Sequence, residues 1–224
     1  MKVQKAQNNI NFGFNYNTHR KIAETVIKNE FPKLEKYLPV IRQAVQSPDF
    51  DELGIKSNSH FYYPFESYFK PRSSFLDFDW CHNARSKFNK HIDLMFKKHE
   101  LGRFEDMAEQ AGRAKHFLDD MSSGLHVKRG NFIDKWKEMR VHRAFENFVY
   151  RHEDEFIAKS VKSPVQFKTQ SFDDIFMSVV NDTKNSEMPS KDNVEKWRVI
   201  GQNSINSVMD SSRVFFKKLS EFLV

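Results

Sequence analysis

Apolar residues recur at helical spacing along most of this chain, and alternating strand patterns are nearly absent. The 224 residues include only 7 Gly and 7 Pro, so few positions interrupt a helix. A chain of this length can bury a substantial core within one domain. We therefore expect an all-α fold, a single compact multi-helix domain that occupies residues 1–224.

Capping residues divide the chain into predicted helices. Asn17 or Thr18 can cap a first helix, and Ser171 can cap a later one. Residues 47–66 are rich in Pro, Asp, Gly, Ser and Asn, and this composition indicates a functional loop. The final helix is expected to be interrupted near Gly201. The apolar spacing predicts further helices at 32–45, 80–98, 103–121, 132–157 and 195–224.

Cysteine content and hydropathy exclude several classes of protein. Cys81 is the only cysteine, so a framework of internal disulfides is excluded. The N-terminal sequence lacks the apolar segment of a secretory signal, and no stretch approaches the roughly 18 uncharged apolar residues of a membrane-spanning helix. We expect a cytoplasmic protein without a transmembrane segment, although non-classical export would leave no signal. The net charge of +6 supports a phosphate-bearing substrate only weakly, because lysines are scattered.

Five residues form the pattern H-x3-D-x5-H-x15-H-x3-E: His116, Asp120, His126, His142 and Glu146. Each x3 spacing is i,i+4, so each pair projects from one face of a helix, one turn apart. Charged residues at this spacing are common on helix surfaces, and one such pair would carry little weight. Two pairs with a further histidine between them favour a metal site with nitrogen and oxygen ligands and no cysteine.

Further ligands must come from other segments, and the remaining histidines differ in their surroundings. His60 lies in the turn-rich segment, eleven residues after Asp49, and His19 lies near the start of the first predicted helix. Spacing alone leaves the role of these two histidines open. The other four stand among charged residues and are predicted to be solvated on helix surfaces: His82, His91, His99 and His152.

Five segments resemble, in chain order, the motifs of the bacterial zinc-dependent phospholipase C family. They are THRKIAE at 18–24, SPDFDE at 47–52, SHFYYP at 59–64, KHFLDDMSSGLH at 115–126 and HRAFENFV at 142–149. The closing run EKWRVIGQNSINSVMDSSRVFF is similar to the last helix of the family, so the resemblance covers nearly the whole chain. The resemblance implies an all-helical domain with a multi-zinc cleft, a fold shared with zinc-dependent single-strand nucleases.

The resemblance also implies a set of metal ligands. One zinc ion would be held by Asp49, His60, His116 and Asp120. A second ion would be held by His126, His142 and Glu146. A third would be held by His19 together with Asp120 as a bridging carboxylate. Asp49 would also be the catalytic general base, while metal-activated hydroxide attacks the phosphorus of a phospholipid or related phosphodiester.

Two departures from the family pattern affect the cofactor and the substrate. In the family the third zinc ion is also held by an N-terminal Trp, whereas positions 6–9 here read Ala-Gln-Asn-Asn, so we expect two or three ions with a weakened third site. Phe50 occupies the position of a choline-recognising aromatic residue and could offer a cation–π face. The second aromatic position is Ser57, which leaves the head group of the substrate open.

The resemblance thus predicts an enzyme, a zinc-dependent phosphoric diester hydrolase of phospholipase C type that could contact a membrane peripherally. A zinc-dependent single-strand nuclease is the first alternative, and nucleic acid would be a partner only in that case. Those nucleases usually have disulfides and begin with a Trp nearer the first histidine, which this chain lacks. The second alternative is a catalytically weakened metal-binding interaction protein of the same fold, which the altered N-terminal segment supports.

Overall fold

The structure is a computed structural model that describes residues 16–51, 60–62, 83–127, 132–162 and 170–223. The side chains of Tyr16 and of residues 132–139 lie outside the described set. All regular elements within these ranges are helical, apart from an isolated parallel bridge between Tyr62 and Val127. The expected all-α fold is therefore confirmed.

The helices follow one another with short connections wherever both flanking segments are described. In chain order they are α1 (Tyr16–Glu30), a 3-10 helix (Pro32–Tyr37), α2 (Leu38–Ala44), α3 (Ser47–Asp51), α4 (Ala84–Glu100), α5 (Phe104–Asp120), α6 (Phe132–Ala158), α7 (Phe172–Lys184), a second 3-10 helix (Lys191–Lys196) and α8 (Trp197–Ser220).

Local sequence signals explain several of these boundaries. The Asn83 side chain caps α4 by accepting a hydrogen bond from the Ser86 backbone N–H at 3.0 Å. Ser171 begins α7 in a reciprocal capping box with Asp174, as predicted. Gly102 separates α4 from α5 with a φ of 67°, a left-handed conformation that glycine adopts without steric cost.

Two predicted helices differ from the structure. The helix expected at 32–45 is divided into the 3-10 helix and α2, because Pro39 lacks a backbone N–H and is tolerated only in the first turn of a new helix. The interruption expected near Gly201 is wrong, since α8 continues through it. A Cβ at Gly201 would lie 3.0 Å from the Phe156 ring, so this glycine permits close packing of α8 against α6.

The loop predicted at 47–66 is also wrong in its first part. Residues Ser47–Asp51 form the short helix α3, for which Pro48 is suited because proline is favoured in a first turn. Residues 60–62 are described, and the Tyr62 N–H donates to the His126 carbonyl at 2.9 Å. The rest of the predicted loop lies outside the described residues.

The core consists of aromatic and aliphatic side chains gathered around α5 and α8. The antiparallel pair α4 and α5 packs on α2 and α7, while α8 contacts α1, α5, α6 and α7. The largest fully buried rings of the core include Phe117, Phe156, Phe176, Phe215 and Phe216. None of the helices described is long and apolar enough to cross a membrane.

One close helix contact matters for the site. A Cβ at Gly112 of α5 would lie 2.6 Å from the Cβ of Ala44, so glycine is required for α5 to approach α2 this closely. The approach brings the Val45 carbonyl, which follows α2, to the imidazole of His116 one turn further along α5.

Candidate metal centre

The residues predicted as metal ligands come from separate segments and meet inside the protein. They lie on α1 (His19), α3 (Asp49), the segment 60–62 (His60), α5 (His116 and Asp120), the loop after α5 (His126) and α6 (His142 and Glu146). All eight are buried. The eight divide into three groups, with His116 in two of them, and the donor atoms of each group lie within 4.8 Å of one another.

The first group consists of His19, His116 and Asp120. His19 Nε2 lies 3.6 Å from Asp120 Oδ1, and His116 Nε2 lies 3.4 Å from Asp120 Oδ2. The two imidazole rings pack at a centroid distance of 4.4 Å. The two oxygens of Asp120 therefore face different histidines.

The second group consists of Asp49, His60 and His116, so it shares His116 with the first. His116 Nε2 lies 3.0 Å from His60 Nδ1 and 3.7 Å from Asp49 Oδ1. Asp120 Oδ2 lies 2.8 Å from His60 Nδ1 and so also reaches this group. Asp120 therefore contacts histidines of both the first and the second group.

The third group consists of His126, His142 and Glu146. His142 Nε2 lies 2.9 Å from His126 Nε2 and 2.6 Å from Glu146 Oε1. The ring of Phe61 stacks on His126 at 5.0 Å and meets His142 edge-on at 5.9 Å. An apolar ring thus supports both imidazoles of this group.

Partners on the far ring nitrogen orient three of the histidines. His116 Nδ1 lies 2.9 Å from the Val45 carbonyl, and His126 Nδ1 lies 2.8 Å from the His60 carbonyl. His19 Nδ1 lies 3.0 Å from Asp119 Oδ2. A carbonyl or carboxylate oxygen can only accept, so each Nδ1 carries the hydrogen and each Nε2 presents a lone pair to its group.

Burial determines the charge states of the site. It lowers the pKa of His126 to about 4, against an ordinary value of 6.5. Burial also lowers the pKa of His116 well below its usual range, and the neighbouring His19 and His60 lower it further. Both imidazoles are therefore neutral near pH 7, the form that binds metals. Burial raises the pKa of Asp49 well above its usual range.

The surroundings of Asp49 fit a bound cation. Both of its carboxylate oxygens are buried and accept no hydrogen bond within the described part of the chain. A buried carboxylate without such bonds is costly unless a positive charge lies beside it. The donor set of imidazole nitrogens and carboxylate oxygens is one that zinc accepts, so the residues present fit the expected ion.

The other predicted residues lie outside the three groups. Phe50 follows Asp49 on α3, and 47% of its surface is exposed. The prediction that four histidines are solvated is wrong for the three that the structure describes, which are half-buried: His91, His99 and His152. Each of them packs against a phenylalanine ring, because imidazole has an apolar face. His82, Ser57 and the segment expected to complete the third zinc site lie outside the described residues.

Sequence reasoning missed two buried residues beside the site, Lys115 and Asp119. Their side chains are fully buried and pair with each other, and Asp119 also contacts His19. The signal that could have identified them is the i,i+4 spacing of a lysine and an aspartate that flank His116. That spacing is more common in exposed ion pairs.

The helical fold has counterparts among solved structures of bacterial toxins. The chain is similar to the alpha toxin of Clostridium absonum, with 17% identity, a TM-score of 0.63 and coverage of 93% of this chain and 63% of that one. It is similar to a Clostridium perfringens alpha-toxin from the avian strain SWCP, with 16% identity, a TM-score of 0.60 and coverage of 93% of this chain and 61% of that one.

This chain therefore spans less than two thirds of the length of either toxin. No family model and no curated protein sequence matches the chain. At this level of identity the likeness shows the fold, and it confirms the fold that the resemblance implied.

Proposed function

We propose that this protein is a zinc-dependent phosphoric diester hydrolase of phospholipase C type that acts on a phospholipid or a related phosphodiester. The observation that carries the proposal is the meeting of three buried groups of imidazole nitrogens and carboxylate oxygens, two of which share His116. The fold supports it, because the structural neighbours are alpha-toxins of the zinc-dependent phospholipase C class.

The proposed ligands are those implied by the resemblance. One zinc ion would be held by Asp49, His60, His116 and Asp120. The other ions would be held by His126, His142 and Glu146, and by His19 with Asp120. When bound, zinc would supply positive charge for the phosphate oxygens and would acidify water at the site.

Asp49 would accept the proton of the attacking water at a carboxylate oxygen. In the metal-free chain, burial raises the pKa of the Asp49 carboxyl well above its usual range. Neither oxygen is committed to a hydrogen bond with a described residue, so both are available to water and metal. The carboxylates of Asp120 and Glu146 raise the pKa of Asp49 further, which places the groups within electrostatic reach of one another.

The buried histidines would act as fixed elements of the site. Because Nδ1 of His116 and Nδ1 of His126 donate to backbone carbonyls, their rings cannot turn without losing a buried hydrogen bond. A site whose polar groups are already oriented needs little reorganisation during the reaction. The imidazoles of His116 and His126 would therefore already be oriented when a charged phosphodiester binds.

Phe50 is the residue that we propose to contact the substrate. It is exposed and follows Asp49 on α3, so its ring is accessible on the same short helix that carries Asp49. The face of an aromatic ring attracts a quaternary ammonium such as that of choline. A phospholipid substrate would require peripheral contact between the protein and a membrane surface.

Zinc content and hydrolysis test the proposal together. Elemental analysis should find two or three zinc ions per chain, and the zinc-loaded protein should hydrolyse phosphatidylcholine vesicles or a chromogenic phosphocholine ester. His142→Gln should reduce kcat/KM by at least about 100-fold, because a ligand is lost. His152→Gln, on the same helix but outside the three groups, is the matched control and should retain activity.

Each alternative gives a different result in the same assays. Hydrolysis of single-stranded DNA without action on either lipid substrate would favour the nuclease. Bound zinc without hydrolysis of any diester would favour a metal-binding interaction protein. A chain that binds no zinc would refute the proposal.

A further inference from the structure

A buried ion pair lies against His19 on the Nδ1 side of its ring. Lys115 Nζ pairs with Asp119 Oδ1 one turn along α5, and Asp119 Oδ2 accepts a hydrogen bond from His19 Nδ1 at 3.0 Å. The side chains of all three residues are fully buried. The proposed catalytic mechanism assigns no role to either Lys115 or Asp119.

Stability alone does not explain this pair. Removing two charges from water costs about as much as their attraction returns, so buried pairs can often be replaced by apolar side chains without loss of stability. Lys115 Nζ lies 5.9 Å from the centre of the Phe216 ring, an environment in which an uncharged side chain would pack well. The pair is therefore better explained by what Asp119 does to His19.

The hydrogen bond at Nδ1 decides which nitrogen of His19 can bind a metal. With Nδ1 donating to Asp119, the neutral ring has its lone pair on Nε2, which lies 3.6 Å from Asp120 Oδ1 in the first group. His116 and His126 are held in the same way by neutral backbone carbonyls. An ionised acceptor makes the imidazole a stronger electron donor than a neutral carbonyl does.

The adjacent residues Asp119 and Asp120 have different partners, and Lys115 pairs with Asp119. Asp120 turns both oxygens toward histidines of the candidate metal centre. Asp119 has one oxygen held by Lys115 and the other by His19, so it is not available as a further ligand.

We propose that Asp119 is a positioning residue that presents His19 Nε2 to a zinc ion, and that Lys115 holds Asp119 in this role. The inference rests on the proposed zinc site. It assigns a support to the ion that His19 and Asp120 would hold.

Two double variants separate positioning from structural support. K115M/D119L and K115M/D119N both remove the ion pair and fill its space, but only asparagine retains an oxygen that can accept from His19 Nδ1. The matched control is E155L/K159M, which removes an exposed i,i+4 pair at the C-terminal end of α6 together with the exposed contact of Glu155 with Arg198. Zinc affinity is measured by competition with a chelator, zinc number by elemental analysis, and folding by thermal unfolding of the metal-free proteins.

We expect K115M/D119L to bind one zinc ion about 10- to 100-fold more weakly than wild type, as found when an outer partner of a ligand is lost. K115M/D119N should recover most of this affinity, and E155L/K159M should match wild type. In the metal-free protein, NMR of labelled histidine should show a protected Nδ1–H of His19, assigned by its absence in His19→Gln. That signal should persist with asparagine at 119 and disappear with leucine.

Wild-type zinc affinity in K115M/D119L would overturn the inference. If that variant does not fold, the absence of a protected His19 Nδ1–H in the wild-type protein would overturn it equally. A wild-type chain that binds zinc but hydrolyses no diester would refute the proposed function alone, since the variants would still decide the inference. A wild-type chain that binds no zinc would refute both.

Discussion

Removal of zinc should leave a protein that becomes less stable as the pH falls from 7.5 to 5.0, with His126 as a main cause. Burial lowers the pKa of His126 from 6.5 to about 4 in the folded chain. Between these values the unfolded chain takes up a proton that the folded chain does not. The contribution of His126 to stability is therefore fully present above pH 6.5 and is lost as the pH falls toward 4.

The size of the effect follows from the two pKa values. The difference between 6.5 and about 4 corresponds to about 3 kcal/mol once the pH is below both values. At pH 5.0 the unfolded imidazole is almost fully protonated and the folded one is still neutral, so about 2 kcal/mol should be lost relative to pH 7.5. For a domain of this size, that is a large part of the total stability.

The assay compares wild type with His126→Gln, which cannot titrate at this position. Urea unfolding of both metal-free proteins is followed by tryptophan fluorescence between pH 7.5 and 5.0, with a chelator present. Wild type should lose about 2 kcal/mol more free energy of unfolding than the variant over this range. The raised pKa of Asp49 acts in the opposite direction, but it is common to both proteins and cancels in the comparison.

Parallel pH profiles for the two proteins would refute the reasoning, because they would mean that His126 binds its proton equally well in the folded and unfolded chains. Histidine NMR gives a second, direct measurement. The His126 imidazole should stay neutral to well below pH 6 in the metal-free protein.

Three further substitutions test packing, capping and substrate contact. Gly112→Ala should lower the free energy of unfolding by about 1–3 kcal/mol, because the added Cβ would lie 2.6 Å from the Cβ of Ala44; an unchanged urea midpoint would contradict this. Ser171→Ala should lower the free energy of unfolding by about 1 kcal/mol, because it removes the acceptor for the Asp174 N–H in the capping box of α7. An unchanged melting temperature would show that this cap does not contribute to stability. Phe50→Ala should lower kcat/KM for a choline lipid about 2- to 30-fold while Phe50→Tyr retains it, and equal values for alanine and wild type would exclude the cation–π contact.

The helical part of the site could be predicted because its signals are local. His116 with Asp120, and His142 with Glu146, are i,i+4 pairs within α5 and α6, and both helices were predicted close to their observed bounds. Helical periodicity places such pairs on one face wherever the helix packs. The same local reasoning predicted the capping of α7 by Ser171.

Errors arose where the local signal was ambiguous. Asp49 lies on the short helix α3 although its segment has the composition of a loop, because proline and serine are common both in turns and in the first turn of a helix. Lys115 and Asp119 have the spacing of an exposed pair, yet both are fully buried. Which face of α5 is covered depends on helices distant in sequence.

The sequence by itself determined the helices, the kinds of donor atom available and the pairing of donors within each helix, because all three depend on neighbours within a few residues. Only the tertiary structure decided that His19 and His60 join His116 in one buried space. Residues 100 and 60 positions apart meet there, His19 at Asp119 and His60 at Asp120. Such contacts depend on how closely helices approach, as at Gly112, and helix packing is a property of the whole chain that no local pattern specifies.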